Sequence, residues 1–241
     1  MIDTIFFDVG NTLRIVVKDK DFSDAAEQEI MRLVGAKETH DAFFSKLNGR
    51  WEAYRKAAKS GHLDASEMEL WSQYLLPDYP IDTICAAAGR LTRLWRDHDG
   101  RRVARPDVKS TLIELDRRGY TMGIIANTIT ETEIPDWMVE DGVARYFKTV
   151  ILSSKVRIRK PDPEIYRLAC RAIGKAPEQC AYIGDNPIRD VQGTREAGFA
   201  CMVRIDEPDT IAKEPQAGTQ PVDYTITAIS QLLDIFPPLK A

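Results

Sequence analysis

Apolar residues along the chain follow two different patterns, one after the other. Between Asp21 and about Asp99 they recur every three or four residues, the spacing that predicts amphipathic helices. The four predicted helices cover residues 23–37, 39–61, 66–76 and 81–98. Ser66 and Glu69, at the start of the third, form the sequence signature of a capping box. This stretch is therefore predicted to be a four-helix unit.

From Arg105 onward, short apolar runs alternate with segments of helical spacing. Strands are predicted at residues 120–127, 148–154, 180–185 and 199–205. Helices are predicted at residues 107–118, 162–174, 188–198 and 226–236. Pro106 and Gly119 flank the first of these helices, as is typical of a helix start and a helix end. Alternating strands and helices predict an α/β fold with a doubly wound parallel sheet.

The first strand, residues 4–8, has the pattern of the second half of the chain, not that of the helical stretch after it. The helical unit is therefore predicted to be an insertion after strand one. This gives a catalytic core of residues 1–15 and 105–241 and an inserted helical domain of residues 16–104. Residues 206–223, rich in proline, glycine and glutamine, are predicted to be an exposed loop.

Composition narrows the classes of partner. The chain has 241 residues and a net charge of only −4, so it lacks the basic field that draws proteins to nucleic acid or acidic lipid. No run approaches a membrane span, and the first residues do not resemble a signal peptide, so a cytoplasmic protein is expected. The four cysteines are scattered and are expected to be reduced. The sequence gives no prediction of oligomeric state.

Polar residues collect after the predicted strands, at the edge where doubly wound sheets bind their ligands. They are Asp8, Gly10, Asn11 and Thr12 after the first strand, Asn127 and Thr128 after the second, Ser153 and Ser154 after the third, Lys160 ahead of the next helix, and Asp185 and Asp190 after the AYI strand. Three carboxylates with one lysine suit a hard cation paired with an anionic substrate, because magnesium prefers oxygen ligands and is often completed by phosphate. The pattern therefore favours phosphate chemistry.

Four segments in this order, FFDVGNTL, GIIANT, RKPDPEIY and YIGDNPIRD, resemble the motifs of the haloacid dehalogenase (HAD) superfamily. The resemblance covers nearly the whole chain. It implies a Rossmann-like core, and it implies that the inserted helical bundle is a small cap domain, called the cap below.

The resemblance also implies roles for single residues. Asp8 matches the nucleophile and metal ligand, and Lys160 the cation that screens it from phosphate. The implied Mg²⁺ site comprises Asp8, the main-chain carbonyl of Gly10, Asp185 and the supporting acid Asp190. The implied contacts to the phosphoryl group of a small substrate are Asn11, Thr12, Asn127 and Thr128.

Two positions depart from the family pattern. Gly10 stands where phosphatases usually carry a second aspartate that acts as general acid and base, and Ala126 replaces a Ser or Thr that bonds the phosphoryl group. The expectation is a magnesium-dependent phosphatase that forms an aspartyl phosphate, with weakened activity possible. The alternative is an impaired member that binds a phosphorylated ligand or partner.

Two related activities are less favoured. The intact Asp185 and Asp190 argue against a haloacid dehalogenase, because those enzymes lack this segment. The spacing of Lys46 and Lys56 from Asp8 does not match a phosphonatase. Arg14, Arg50 and Arg55, in or near the cap, are candidate contacts to an anionic substrate. His40, His62 and His98 of the cap are expected to be surface or packing residues.

Overall fold

The computed structural model describes residues 1–213 and 221–239, without the side chain of Lys213. Its eight strands are β1 Thr4–Phe7, β2 Arg14–Val17, β3 Arg101–Ala104, β4 Thr121–Ala126, β5 Phe147–Leu152, β6 Cys180–Gly184, β7 Cys201–Ile205 and β8 Tyr224–Ile226. Six of them form one parallel sheet in the order β5-β4-β1-β6-β7-β8. The predicted α/β fold with a doubly wound parallel sheet is confirmed.

Helices flank the sheet and form the insertion. They are α1 Lys20–Val34, α2 His40–Gly61, α3 Glu67–Glu69, α4 Ile81–Asp97, α5 Val108–Arg117, α6 Glu133–Glu140, α7 Ser153–Val156, α8 Pro163–Ala172, α9 Gly193–Ala197, α10 Pro208–Lys213 and α11 Leu232–Ile235. Wide turns of π type extend α3 through Leu70–Leu75 and precede α9 at Pro187–Gln192. Short 3₁₀ turns lie at Ala144–Tyr146, Pro177–Gln179 and Ile229–Gln231.

Strand β1 lies at the centre of the sheet, between β4 and β6. Its four residues are fully buried, which explains why it reads as an unbroken apolar run. Phe6 lies opposite Gly123 of β4, and a Cβ at position 123 would come within 2.6 Å of the Phe6 ring. Glycine at 123 thus lets β1 pack closely against its neighbour β4.

The inserted helices α1 to α4 have an apolar core of their own, built around Trp71, Trp95 and Phe43. Ser66 and Glu69 form the predicted capping box. Two further apolar clusters cover the sheet. The separate clusters agree with the predicted division into residues 16–104 and residues 1–15 with 105–241, which stays a prediction.

Several predicted elements were wrong or missed. The sequence analysis assigns no strand to the segments that join cap and core, but β2 and β3 pair antiparallel there as a ribbon, from Arg14 opposite Ala104 to Val17 opposite Arg101. Helix α6 was missed. The predicted helix over 226–236 is shorter, because it follows strand β8 and a 3₁₀ turn and covers only Leu232–Ile235.

The predicted loop over residues 206–223 is only partly a loop. Residues 208–213 form helix α10, and residues 214–220 lie outside the described residues. Within the described part of the chain, no helix is both long and apolar enough to cross a bilayer. All four cysteines carry free thiols in the structure, three of them buried, and their reduced state stays a prediction.

Candidate active site

The loops after β1, β4 and β6 meet at one edge of the sheet. Asp8 follows β1, Asn127 and Thr128 follow β4, and Asp185 follows β6. Because these three strands are neighbours and parallel, their carboxyl ends lie side by side. The topology therefore brings together residues that are more than 170 positions apart in sequence.

Three buried carboxylates form the centre of the site. Asp8, Asp185 and Asp190 each place one oxygen within 4.8 Å of the others, and all three side chains are at least 94% buried. Asp185 Oδ1 finds no hydrogen-bond partner among residues 1–213 and 221–239. Burial above all, and then the neighbouring carboxylates, raise the pKa of Asp185 to about 7. Such a set of hard oxygen donors with an unsatisfied oxygen fits a divalent cation.

Lys160 is the buried cation beside these acids. Its Nζ lies 3.0 Å from Asp8 Oδ1 and 2.7 Å from Asp190 Oδ1, and it donates to the Tyr182 hydroxyl at 2.8 Å. Burial raises the pKa of Asp8, and the charge of Lys160 opposes that rise. The charge of Lys160 therefore makes the ionised form of Asp8 more favourable than burial alone would allow.

Asn127 holds Lys160 in place. Its side-chain Oδ1 accepts from the main-chain N–H of Lys160 at 2.8 Å, and its Nδ2 donates to the carbonyl of the same residue at 3.0 Å. This two-point contact makes Asn127 a positioning residue for the lysine. The predicted contact from Asn127 to phosphate stays a prediction.

The remaining predicted contacts lie in the loop after β1. Gly10 and Asn11 line a cavity of about 210 Å³ against Asp8, called here the nucleophile cavity. Asn11 has a left-handed backbone (φ 61°) and donates to the Thr210 hydroxyl at 3.1 Å. Thr12 is fully buried and is not among the residues that line this cavity, so its predicted phosphate contact stays untested.

Ala126 and Thr128 both line the nucleophile cavity, as expected if the chain stays extended after β4. The Thr128 hydroxyl accepts from the N–H of Thr130 at 3.1 Å. Ser153, one of the polar residues after the third predicted strand, is buried in α7 and accepts from the N–H of Thr128 at 3.0 Å. Ser153 thus fixes the backbone that carries Thr128, whose predicted phosphate contact stays a prediction.

Thr210 is a site residue that the sequence analysis missed. Its buried hydroxyl donates to Asp185 Oδ2, from a helix in the segment predicted to be loop. Pro208 is a typical first residue of a helix and could have indicated α10. No spacing in the sequence indicates that Thr210 reaches Asp185.

A second cavity, of about 430 Å³ and called here the cap cleft, adjoins the first. It is lined by Trp51, Tyr54 and His98 of the cap and shares Asn127, Thr128, Arg96, Asp99 and Arg189 with the nucleophile cavity. Cap side chains therefore border the route to Asp8.

The six arginines and histidines considered in or near the cap lie in different surroundings in the structure. Arg14 lines the nucleophile cavity, and Arg55 and His98 line the cap cleft. Arg50 instead pairs with Asp78 at 2.6 Å, and His40 with Glu27 at 2.8 Å. His62 borders a third cavity, of about 250 Å³.

Comparison with known proteins gives one consistent picture. A family model described as haloacid dehalogenase-like hydrolase matches residues 2–198. Phosphoserine phosphatase of Thermus thermophilus is 30% identical over 240 residues, covering 85% of this chain and 91% of that protein. Glyceraldehyde 3-phosphate phosphatase of Methanopyrus kandleri is 30% identical over 132 residues, 54% of this chain and 55% of that protein.

A solved structure supports the fold. The 2-haloacid dehalogenase of Pseudomonas syringae pv. Tomato superposes with a TM-score of 0.67 over 98% of both chains. Its sequence identity is 20%, so this likeness concerns the fold alone.

Proposed function

We propose that this chain, which belongs to the haloacid dehalogenase-like hydrolase family, is a magnesium-dependent phosphatase of a small phosphorylated metabolite. The chain is a hydrolase, and the two relatives named above are phosphatases of small phosphorylated compounds. The observation that carries the proposal is the buried set of Asp8, Asp185 and Asp190 with Lys160 at 3.0 Å from the nucleophile.

Asp8 is the proposed nucleophile. One of its oxygens attacks phosphorus, the bond from phosphorus to the ester oxygen breaks, and an aspartyl phosphate forms while the leaving oxygen takes a proton from water. A water molecule then attacks that phosphorus, the bond from phosphorus to Asp8 breaks, and inorganic phosphate leaves with the carboxylate restored. Lys160 lies beside Asp8 Oδ1, so its charge lowers the repulsion between the carboxylate and the anionic phosphoryl group. At Gly10 there is no side chain to protonate the leaving group.

The proposed Mg²⁺ ligands are Asp8, Asp185 and the carbonyl of Gly10. When bound, Mg²⁺ neutralises charge on the phosphoryl oxygens. Asp190 is suited to a supporting role, since its Oδ1 already pairs with Lys160 and its Oδ2 accepts from the N–H of Asn186 at 3.0 Å. Asp190 thus orients Lys160 and holds the loop that carries Asp185.

A second function is favoured by two substitutions in the cavity. Gly10 lacks an acid and Ala126 presents a methyl group, and both border the space beside Asp8. A chain that binds a phosphorylated ligand without turning it over would keep Asp8, Asp185 and Lys160 for binding alone. This alternative predicts saturable, magnesium-dependent binding with no phosphate release.

A panel of phosphorylated metabolites, assayed for phosphate release with and without Mg²⁺, tests the proposal. We expect turnover of at least one small phosphomonoester, lost with a chelator and in Asp8→Asn. Unchanged turnover in Asp8→Asn would remove Asp8 as nucleophile, and stoichiometric binding without release would support the alternative. A cytoplasmic location and the lack of nucleic-acid or membrane partners stay predictions.

A further inference from the structure

Three arginines surround one glutamate at the wall of the nucleophile cavity. Glu133, at the start of α6, accepts from Arg14 Nη1 at 2.9 Å and from Arg96 Nε at 2.9 Å, and Arg102 Nε lies 3.6 Å from it. The arginines come from β2, α4 and β3, so the ribbon and the cap each contribute. All four side chains line the same cavity as Asp8. We call them the arginine cluster.

The four side chains of the cluster carry more positive than negative charge, because one carboxylate faces three guanidinium groups. Three acids outside the cluster also act on it: Asp99, which is largely exposed and 3.7 Å from Arg102, Asp97 and Asp141. Burial first, and then repulsion from Arg96, lower the pKa of Arg102 to about 10. Burial acts to raise the pKa of Glu133, but the three arginines lower it to about 2. The excess positive charge is therefore fixed and partly buried.

The guanidinium groups are held in defined positions. Arg14 lies 5.2 Å over the ring of Trp137 and donates through Nη2 to the carbonyl of Arg102 at 2.9 Å. Its buried Nε has no hydrogen-bond partner in the described part of the chain. Arg102 Nη1 donates a hydrogen bond to the main-chain carbonyl of Arg96. The cluster is suited to binding an oxyanion, because Arg14 Nε is an unpaired donor among the described residues and the paired N–H groups of a guanidinium match the oxygens of carboxylate or phosphate.

We propose that the arginine cluster binds a second oxyanion of the substrate, a carboxylate or a second phosphate, while the transferred phosphoryl group sits on Asp8. This inference rests on the proposed function and adds the substrate class: a small phosphomonoester with a further negative group close to the phosphate. A short carbon skeleton between the two groups suffices, because Asp8 and the arginine cluster line one cavity of about 210 Å³.

The main competing explanation is that the cluster only stabilises the contact of the ribbon and cap with α6. Calorimetric binding of unreactive phosphonates to the full chain with Mg²⁺ distinguishes an oxyanion subsite from this structural role without requiring turnover. Methylphosphonate has no second oxyanion, phosphonoacetate adds a carboxylate, and methylenediphosphonate adds a phosphonate in place of a second phosphate. We expect at least one of the latter two to bind ten times more tightly than methylphosphonate.

Arg96→Gln is the test variant, because Arg96 is the most exposed of the three arginines. We expect the preference for the doubly charged ligand to fall about tenfold, with partial recovery in Arg96→Lys. Arg93→Gln is the matched control, because Arg93 lies on the same helix but bonds Asp136 at 2.5 Å and is not a lining residue of the cavity. It should keep the wild-type preference.

Each outcome decides the inference. No preference in the wild type, an unchanged preference in Arg96→Gln, or equal losses for all three ligands would overturn it. The phosphonoacetate and methylenediphosphonate arms identify the second group. An arginine-dependent preference in a chain that hydrolyses no ester would support the subsite and reject the phosphatase. Hydrolysis of an ester without a preference for the doubly charged ligand would support the phosphatase and reject the subsite.

Discussion

Gly10 is the residue at which this chain differs most in chemistry from the phosphatases that it resembles. It is exposed at the nucleophile cavity, its backbone is not left-handed, and an added Cβ would meet no described atom within 4 Å. The site therefore has room for a side chain at this position.

We predict that Gly10→Asp speeds hydrolysis of alkyl phosphates more than that of aryl phosphates. An alkoxide leaving group needs a proton, whereas a phenoxide needs it less, and general acid catalysis contributes roughly 10²–10⁴ in rate. Steady-state kcat/KM for matched alkyl and aryl esters measures the effect. The wild type should prefer the aryl ester and show a burst followed by a slow steady state.

Gly10→Ala is the control for this substitution, since it adds a Cβ without an acid. It should keep the wild-type ratio of aryl to alkyl rates. If the wild type already hydrolyses both esters equally fast and without a burst, another group supplies the proton. His98 in the cap cleft would be the first candidate.

Asp185 should make the metal-free protein less stable as pH rises. Its pKa of about 7 in the folded chain exceeds the value near 4 expected when unfolded, so the folded state binds more protons between these limits. The free energy of unfolding therefore falls from about pH 4 to about pH 7 and then levels off. The fall attributable to Asp185 is on the order of 4 kcal/mol, at about 1.4 kcal/mol for each pKa unit.

Denaturant unfolding of chelator-treated protein across that pH range measures this slope. Asp185→Asn should reduce the slope, with Asp8 contributing what remains, and make the metal-free protein more stable at pH 7 while abolishing magnesium-dependent turnover. Asp82→Asn, at an exposed position of the cap, should keep the slope. An equal slope in the wild type and Asp185→Asn would contradict the buried-carboxylate account.

At the scale of elements, the end of β6 determines where the supporting acid lies. A Cβ on Gly184 would come within 2.5 Å of Asp190 Oδ2. We predict that Gly184→Ala displaces Asp190, and with it Lys160, so that kcat falls at least tenfold. Overpacking of this kind also costs about 1–3 kcal/mol of stability, which urea unfolding would measure.

Gly49→Ala provides the comparison. Gly49 lies in α2, and its added Cβ would meet no atom within 4 Å among the described residues. Alanine in a helix interior stabilises by about 0.5–1 kcal/mol relative to glycine, so this variant should be slightly more stable and fully active. A Gly184→Ala protein with wild-type kcat would show that Asp190 tolerates displacement.

The elements that sequence periodicity predicted well are the long ones. Helices α1, α2 and α4 bury one apolar face in the cap, and that face produces a clear period. The ribbon of β2 and β3 has four residues a strand and is only partly buried, so it has no pattern of its own. The two strands pair only because the two ends of the insertion meet in space. A short stretch of sequence contains only one of these ends, so it cannot indicate the pairing.

At the scale of the whole molecule, cap and core touch at the loop that leads to Lys160. Arg159 pairs with Asp64 of the cap at 2.9 Å, and Glu67 accepts from the N–H of Glu131 at 2.8 Å. The ribbon is the covalent connection between the two units. Motion of the cap relative to the core would therefore change the hydrogen bonding of the ribbon and these two contacts.

We predict that a bound phosphate analogue slows amide exchange in residues 14–20 and 99–105. Closure of the cap over the cavity would exclude water and hold the ribbon more firmly. Hydrogen exchange followed by mass spectrometry, with Mg²⁺ and with or without the analogue, measures the change. Helix α8, outside the ribbon, is the internal reference, and equal exchange in the ribbon under both conditions would contradict a moving cap.

The sequence predicted which charged groups meet at the edge of the sheet better than it predicted what surrounds them. Asp8, Lys160, Asp185 and Asp190 lie in motifs, and parallel topology alone places them at one edge. The arginine cluster was missed except for Arg14, because its members come from a ribbon, a cap helix and α6. Their meeting depends on how the insertion folds back on the core, which no short motif encodes.

The central claim is that Asp8 carries the phosphoryl group during turnover. The most direct measurement is an acid quench of the enzyme with Mg²⁺ and an aryl phosphate, followed by peptide mass spectrometry. We predict a phosphoryl group on the peptide that contains Asp8 in the wild type, labile to base, and none in Asp8→Asn. Turnover without this modification, or the same modification in Asp8→Asn, would contradict the account.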